Sequence, residues 1–329
     1  MTVIRHDIVQ SEAARDQFLA AVVALAHEPA GLTTAQVNQM LAGAVPGFRI
    51  FGRDQSLMTW DLFVLWHQLA MTLPTTPSRP MRNQAHGGPV FLPWHRMFLL
   101  RLEQQLQRVT QNPDLGLPYW DWSQDGALPE SQQPGATVWG PAYLGSSSGE
   151  IRQGPLGTMR VRLAGFGTQL WSVTPRPLTR AGGTDIGTLP APGDVRWALG
   201  EAGDTVYDRS RWDASTSAFR NRLEGWADPT GTAAPQLHNR VHVWVGGDMA
   251  PGTSPNDPVF YLNHCNVDRL WEAWMAERGR LYRPTAQDQD APAGHRLDDV
   301  MATLLGEPMR PAEVLDPSKW YTYDSLAHG

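Results

Sequence analysis

His238-Asn239-Arg240-Val241-His242, followed 22 residues later by His264, is the stretch on which the reading of this chain turns. Two histidines four apart share one face of an α-helix, because about 3.6 residues complete a turn. Leu237 to Val243 is read as that helix, since its periodicity stops at Gly246-Gly247. His264 belongs to a second helix, Asp257 to Ala276, opened by Asp257-Pro258 and carried by Leu262, Val267, Leu270, Trp271 and Trp274 at helical spacing. Three neutral imidazoles from two helices hold one metal and leave coordination positions open, as catalysis or gas binding requires. A pair spaced H-x-x-x-H is common on helices by itself. A second set upstream gives this one its weight.

That set is His67, His86 and His95. His67 ends an amphipathic helix read over Leu57 to Met71. His86 precedes the turn Gly87-Gly88-Pro89, whose glycines let the backbone carry a loop histidine close against helices. His95 sits in the first turn of a helix read over Pro93 to Val109, with proline at its start and Pro113 beyond its end. Six of the ten histidines thus form two groups of three, leaving His6, His27, His295 and His328 outside. Paired three-imidazole sites suit copper, and two neighbouring coppers suit dioxygen chemistry. A zinc hydrolase would show a carboxylate among the histidines, as in H-E-x-x-H, and none stands there.

The rest of the chain bounds this reading. At 329 residues, 41% hydrophobic and with 14 tryptophans spread along its length, it can bury a sizeable core, and one domain over 1–329 is expected. A net charge of −6 without a basic block gives no footing for nucleic acid or an anionic membrane. Cys265 is the one cysteine, so no intrachain disulfide forms, and it is read as a small buried filler. The longest apolar run, Phe18 to Ala26, lies in a helix read over Ser11 to Ala26 and is too short to span a bilayer. A soluble chain follows, either cytoplasmic or exported through a signal carried by a partner. From Ser123 to Asp213 periodicity is poor and Gly, Pro and Ser abound. That region is read as surface loops with short strands such as Met159 to Leu163.

Several long segments, taken together, resemble the tyrosinase family of type 3 copper proteins, and its bacterial tyrosinases and polyphenol oxidases most. The first copper signature appears as His86 and then Phe91-Leu92-Pro93-Trp94-His95-Arg96-Met97-Phe98. The second appears as His238 through Gly247, then Asp257-Pro258-Val259-Phe260-Tyr261-Leu262-Asn263-His264 and Asn266-Val267-Asp268-Arg269-Leu270-Trp271. Leu117-Pro118-Tyr119-Trp120-Asp121-Trp122 and Leu223-Glu224-Gly225-Trp226 match as well, and the resemblance runs from about Ile4 to Asp324. It implies a mainly α fold: a central antiparallel four-helix bundle holding a dinuclear copper site, with long loops and short peripheral strands. It makes His67, His86 and His95 ligands of the first copper, and His238, His242 and His264 ligands of the second. It implies an oxidase that uses dioxygen to turn phenols and o-diphenols (catechols) into o-quinones, with ortho-hydroxylation of monophenols. Glu224 and Asn239 match residues proposed in bacterial relatives to hold a water that takes the phenol proton. The competing reading of Glu224 is a surface ion pair with Arg220 or Arg222.

Departures from the family pattern also carry expectations. The residue before the last ligand is often a second histidine and is Asn263 here, which keeps an o-aminophenol oxidase in play. Gln84 and its immediate neighbours supply no cysteine to form the thioether of plant and fungal relatives. The chain stops just after Trp320-Tyr321-Thr322-Tyr323-Asp324, resembling the end of a catalytic domain without a C-terminal shielding domain. The site is then open, or served by a copper-loading partner of the caddie type. Arg5 is expected to stack on the tyrosine pair. Asp268, four residues after His264, is expected to accept from a ligand's second ring nitrogen or to pair with an arginine. Val243 and Gly252 are taken as pocket residues, Gly252 standing where a bulky gate would close a haemocyanin-like oxygen carrier.

Overall fold

Ser11 starts the first helix: its hydroxyl accepts from the Ala14 N–H at 3.3 Å, and α1 (Glu12–His27) follows, burying Phe18, Val22 and Leu25. The structure, a computed structural model, describes residues 2–79, 81–166, 169–200, 206–227, 230 and 236–328. Helix α2 (Thr34–Leu41) was not anticipated. Only Thr34, Val37 and Leu41 of it are buried, so no apolar stripe announces it, although Thr33 and Gln36 form a capping box. Helix α3 (Thr59–Thr72) begins where the Asp61 carboxylate accepts from the Met58 N–H at 2.8 Å. Helix α4 (Phe91–Thr110) ends at Gln111 in the left-handed conformation, φ 54°. Short helices α5 (Trp122–Gly126), α6 (Pro192–Leu199) and α7 (Phe219–Glu224) lead to α8 (Leu237–Val245), stopped by Gly246 at φ 61°. Helix α9 (Val259–Arg278) is buried on every face from Val259 to Met275, which marks it as central. A last short helix, α10 (Pro311–Val314), precedes the C-terminus.

Packing follows from these faces. Helix α4 lies against both α1 and α9, α1 also meets α3, and α8 meets α9. One continuous apolar cluster takes side chains from Ile8 to Val314. The result is mainly α with short peripheral strands, as the sequence implied. The stretch from Ser123 to Asp213 is less irregular than expected. It contains β5 (Ser148–Ile151), β6 (Val161–Phe166), β7 (Gln169–Arg176) and β8 (Leu178–Ala181), besides α5 and α6; its residues 167–168 and 201–205 lie outside those described. Strand β7 hides its signal because the buried positions of its alternation are Leu170 and then Ser172. The serine is kept inside by Gln55, whose amide donates to its hydroxyl at 2.7 Å.

Of the strands nearer the termini, β1 (Val3–Arg5) pairs in parallel with β9 (Tyr321–Tyr323), and β2 (Pro29–Thr33) pairs with β4 (Ser56–Met58). The remaining one, β3 (Ile50–Gly52), joins β7 and β6. The β1–β9 pair ties the two ends of the chain together beside α4 and α9. There the Arg5 guanidinium lies 3.4 Å from the centre of the Tyr321 ring. Among the described residues no helix is long and apolar enough to cross a membrane.

Candidate dinuclear metal centre

The bundle brings the six histidines to one place. His67 projects from α3, His95 from α4, His238 and His242 from α8, and His264 from α9, while His86 stands on the loop before α4. Within each triad one nitrogen per ring lies within 4.8 Å of the others. The triads are adjacent: the His95 and His264 rings stack with centroids 4.0 Å apart, and His86 faces His238 at 6.0 Å. Phe260 and Phe91 wall the space, the first 4.2 Å from His264 and the second 4.8 Å from His238.

Backbone carbonyls decide which nitrogen four of the six rings offer. His67 Nδ1 meets the Gly252 carbonyl at 2.7 Å, His95 Nδ1 the Phe91 carbonyl at 2.8 Å, and His242 Nδ1 the Met249 carbonyl at 2.7 Å. A carbonyl only accepts, so each Nδ1 carries the proton and each Nε2 keeps its lone pair for a metal. His238 Nδ1 is held likewise by the Glu224 carbonyl at 3.2 Å and the Asn239 side-chain oxygen at 3.0 Å. The Nε2 atoms of His67, His95 and His242 are buried with no protein partner. Buried unpaired lone pairs converging in this way are what a metal satisfies. Burial holds the imidazoles neutral, His67 at about 3 and His242 at about 4, and the other four well below the ordinary range for the same reason. Neutral, oriented imidazoles without a carboxylate among them fit two copper ions.

A cavity of about 360 Å3 opens onto both triads through His67, His86, His238 and His242, and Met71, Met81, Trp226, Asn239, Val243 and Gly252 are among its other lining residues. Val243 and Gly252 both line this cavity. Gly252 has a further task invisible in sequence, because its carbonyl orients His67. A Cβ there would lie 2.4 Å from the Gln68 amide oxygen and 3.0 Å from the Met71 sulfur, so the position has no room for a gate. Asn239 faces the cavity next to His238. Glu224 is fully buried, not on the surface. Its carboxylate accepts from the Gly87 N–H at 2.6 Å and from Arg220 at 2.8 Å. Burial pushes that carboxyl up, against the downward pull of Arg220 and the Gly87 N–H.

Two expected neighbours of the site sit elsewhere. Asn263 does not line the cavity. It is fully buried, and its side-chain oxygen accepts from the Trp122 indole at 3.1 Å, since a helical residue next to His264 points away from the face that bears it. Asp268 takes its arginine alternative and touches no ligand. Arg96 Nε donates to it at 2.6 Å, the Tyr323 hydroxyl at 2.6 Å and Arg5 at 3.4 Å. Cys265 is buried, its thiol pointing to the Leu117 carbonyl at 3.4 Å and pushed up to about 12 by burial. The carbonyls of Gly252, Met249 and Phe91 were missed by sequence reasoning and had to be, because a main-chain oxygen has no residue signature.

Comparison with known proteins agrees with this geometry. A family model of the common central domain of tyrosinase matches residues 58–277. The chain is 36% identical over 302 residues to a tyrosinase of Streptomyces glaucescens, covering 89% of this chain and 96% of that one. It is 33% identical over 300 residues to grixazone synthase of Streptomyces griseus, covering 80% and 90%. A polyphenol oxidase variant of Thermothelomyces thermophila shares the fold at a TM-score of 0.65 and 20% identity, covering 98% of this chain and 88% of that one.

Proposed function

The chain belongs to the tyrosinase family of type 3 copper oxidases, and on that premise we propose that it oxidises phenols and catechols to o-quinones with dioxygen. In balance, one phenol and one O2 give one o-quinone and one water; two catechols and one O2 give two o-quinones and two waters. Copper held by the two triads supplies the binding of dioxygen and the exchange of electrons with the ring. The observation that carries the reading is the cavity of about 360 Å3, open to both triads at once. That volume is of the order that small-molecule sites use, roughly 300 Å3 and upward.

The chain's own part is to orient and to exclude. Phe91 and Phe260 keep water from the inner face of the rings. Val243 and Trp226 offer apolar walls to an aromatic substrate, and Gly252 leaves room for it. A phenol of pKa about 10 must lose its proton near neutral pH. Glu224 and Asn239 are proposed to hold the water that takes it. Asn239 supports this by facing the cavity, and Glu224 by standing next to it at the second triad, since His238 Nδ1 meets both the Glu224 carbonyl and the Asn239 side-chain oxygen. The Glu224 carboxylate spends two of its acceptor positions on Gly87 and Arg220 and has others for a water.

The test is one side-by-side assay of the copper-loaded protein under dioxygen with tyrosine, a catechol and an o-aminophenol. The o-aminophenol is included because Asn263 replaces the histidine often found there in the family. Oxidation of the catechol is expected. Inertness toward all three, with a persistent oxygenated absorption band, makes the protein an oxygen carrier instead. Glu224→Gln is expected to slow tyrosine hydroxylation by roughly 100-fold and catechol oxidation by far less, because general-base help contributes about that much. Equal losses on both substrates remove Glu224 from proton handling.

A further inference from the structure

Five of the six ligands stand on helices, whose backbone hydrogen bonds fix them. His86 does not. Its segment is held by a local turn: the Asn83 side-chain oxygen accepts from the Ala85 N–H at 3.0 Å and the His86 N–H at 2.9 Å. The Asn83 N–H in turn reaches the His86 carbonyl at 2.9 Å. Such a turn fixes its own shape but not its place in the molecule. From one side Glu224 accepts from the Gly87 N–H, and the Gln84 N–H reaches the Ala70 carbonyl of α3 at 3.2 Å. From the other comes His295, a residue 209 positions beyond His86.

His295 is fully buried, and its Nε2 lies 3.1 Å from the Asn83 carbonyl. The carbonyl accepts, so Nε2 carries the proton and Nδ1 is left unprotonated, buried and without a partner. The ring lies under Gly88: a Cβ there would be 2.8 Å from the His295 Cε1. His295 is anchored in turn, since the Tyr282 hydroxyl donates to its carbonyl at 2.8 Å.

We infer that His295 is a positioning residue for the first copper: through Asn83 it seats the loop that presents His86, and so sets how firmly that copper is kept. It makes no contact with the second triad. An imidazole left with one unpaired buried nitrogen is a costly way to fill space. What the ring gives in return is a single N–H aimed at the carbonyl of Asn83, the residue whose side chain holds the His86 turn. Groups that hydrogen-bond a metal ligand directly are typically worth about 10–100-fold in affinity, and His295, acting through Asn83, stands one contact further out, which puts its effect at the lower end.

The test follows copper release rather than turnover. Two reference proteins carry one copper each: His242→Ala, which keeps the first site, and His67→Ala, which keeps the second. Each is loaded with copper and challenged with an excess of a chelator. Adding His295→Ala to the first is expected to speed release by about 10-fold, and adding it to the second to leave the rate unchanged. His295→Gln, whose amide can still donate to the Asn83 carbonyl, is expected to restore slow release. Gly88→Ala, which presses on the ring from above, is expected to reproduce the selective loss, and it decides the matter should His295→Ala not fold. Equal acceleration at both sites, no acceleration at either, or failure of the glutamine variant to rescue would overturn the role. The inference rests on the copper reading of the triads. A wild-type chain that takes up no copper refutes that reading, whereas unselective release refutes His295 alone.

Discussion

Replacing Asp268 by asparagine is expected to unfold the protein more easily while leaving both coppers in place. Asp268 is 3% exposed and lies four residues past His264, so a carboxylate serving the metal and one serving the fold look alike in sequence. The structure surrounds it with Arg96 at 2.6 Å, Arg5 at 3.4 Å and the hydroxyls of Tyr321 and Tyr323. Burial by itself pushes the carboxyl up, but Arg96 and Arg5 outweigh it and hold it below its ordinary value. Its stabilisation is therefore present above the unfolded value of about 3.9 and is lost as pH falls through the folded one, so pH 7 is the place to measure.

Asparagine keeps the size and turns one acceptor into a donor facing donors. Removing one partner of a buried ion pair costs about 3–5 kcal/mol. The lower end applies here, because Arg96 keeps Glu272 at 2.6 Å and the Val314 carbonyl at 2.8 Å, and Arg5 keeps Glu103 at 2.9 Å. With an unfolding entropy of about 2.1 cal/mol/K per residue over 329 residues, about 3 kcal/mol lowers Tm by roughly 4 °C. The assay is thermal denaturation of the copper-loaded protein, with chelator-resistant copper and catechol turnover measured on the same sample. A Tm within about 1 °C of wild type, or loss of copper at unchanged Tm, refutes the reasoning; the second result would return Asp268 to the metal site.

Other expectations follow from the same geometry. Gly252→Ala should weaken copper at the first site by about 10–100-fold, because the new methyl meets Gln68 and displaces the carbonyl that orients His67; equilibrium competition with a chelator reads this, and unchanged affinity contradicts it. The copper-free protein should be acid-labile. His67 and His242 are held at about 3 and about 4 by burial, below the unfolded value of about 6.5, so stability is full above that value and falls as pH drops from there toward the folded values. These two histidines alone cost about 3 kcal/mol per pH unit in that window. A urea midpoint for the metal-free form that stays the same from pH 7 to pH 5.5 rules this out. Asn263→Ala should lower stability by about 1–3 kcal/mol through the abandoned Trp122 indole and leave the ratio of phenol to catechol turnover alone; a changed ratio would show that Asn263 reaches the substrate after all.

Helix spacing, turn chemistry and the long histidine motifs were legible in the chain itself. From them came the mainly α fold, the division of six histidines into two triads and the buried filler role of Cys265. Those features depend on local periodicity or on residue type, which a sequence carries openly. Strand β7 and helix α2 escaped because a buried serine and a short apolar face break the patterns that betray such elements. What only tertiary structure decided is who touches whom: that Asn263 serves Trp122, that Asp268 serves Arg96, that Gly252 and Met249 act through their carbonyls, and that His295 reaches the loop of His86. The physical reason is common to all of these. A hydrogen bond is made by the atom that folding brings within about 3 Å, whether that atom is a side chain two hundred residues away or a main-chain oxygen that every residue possesses.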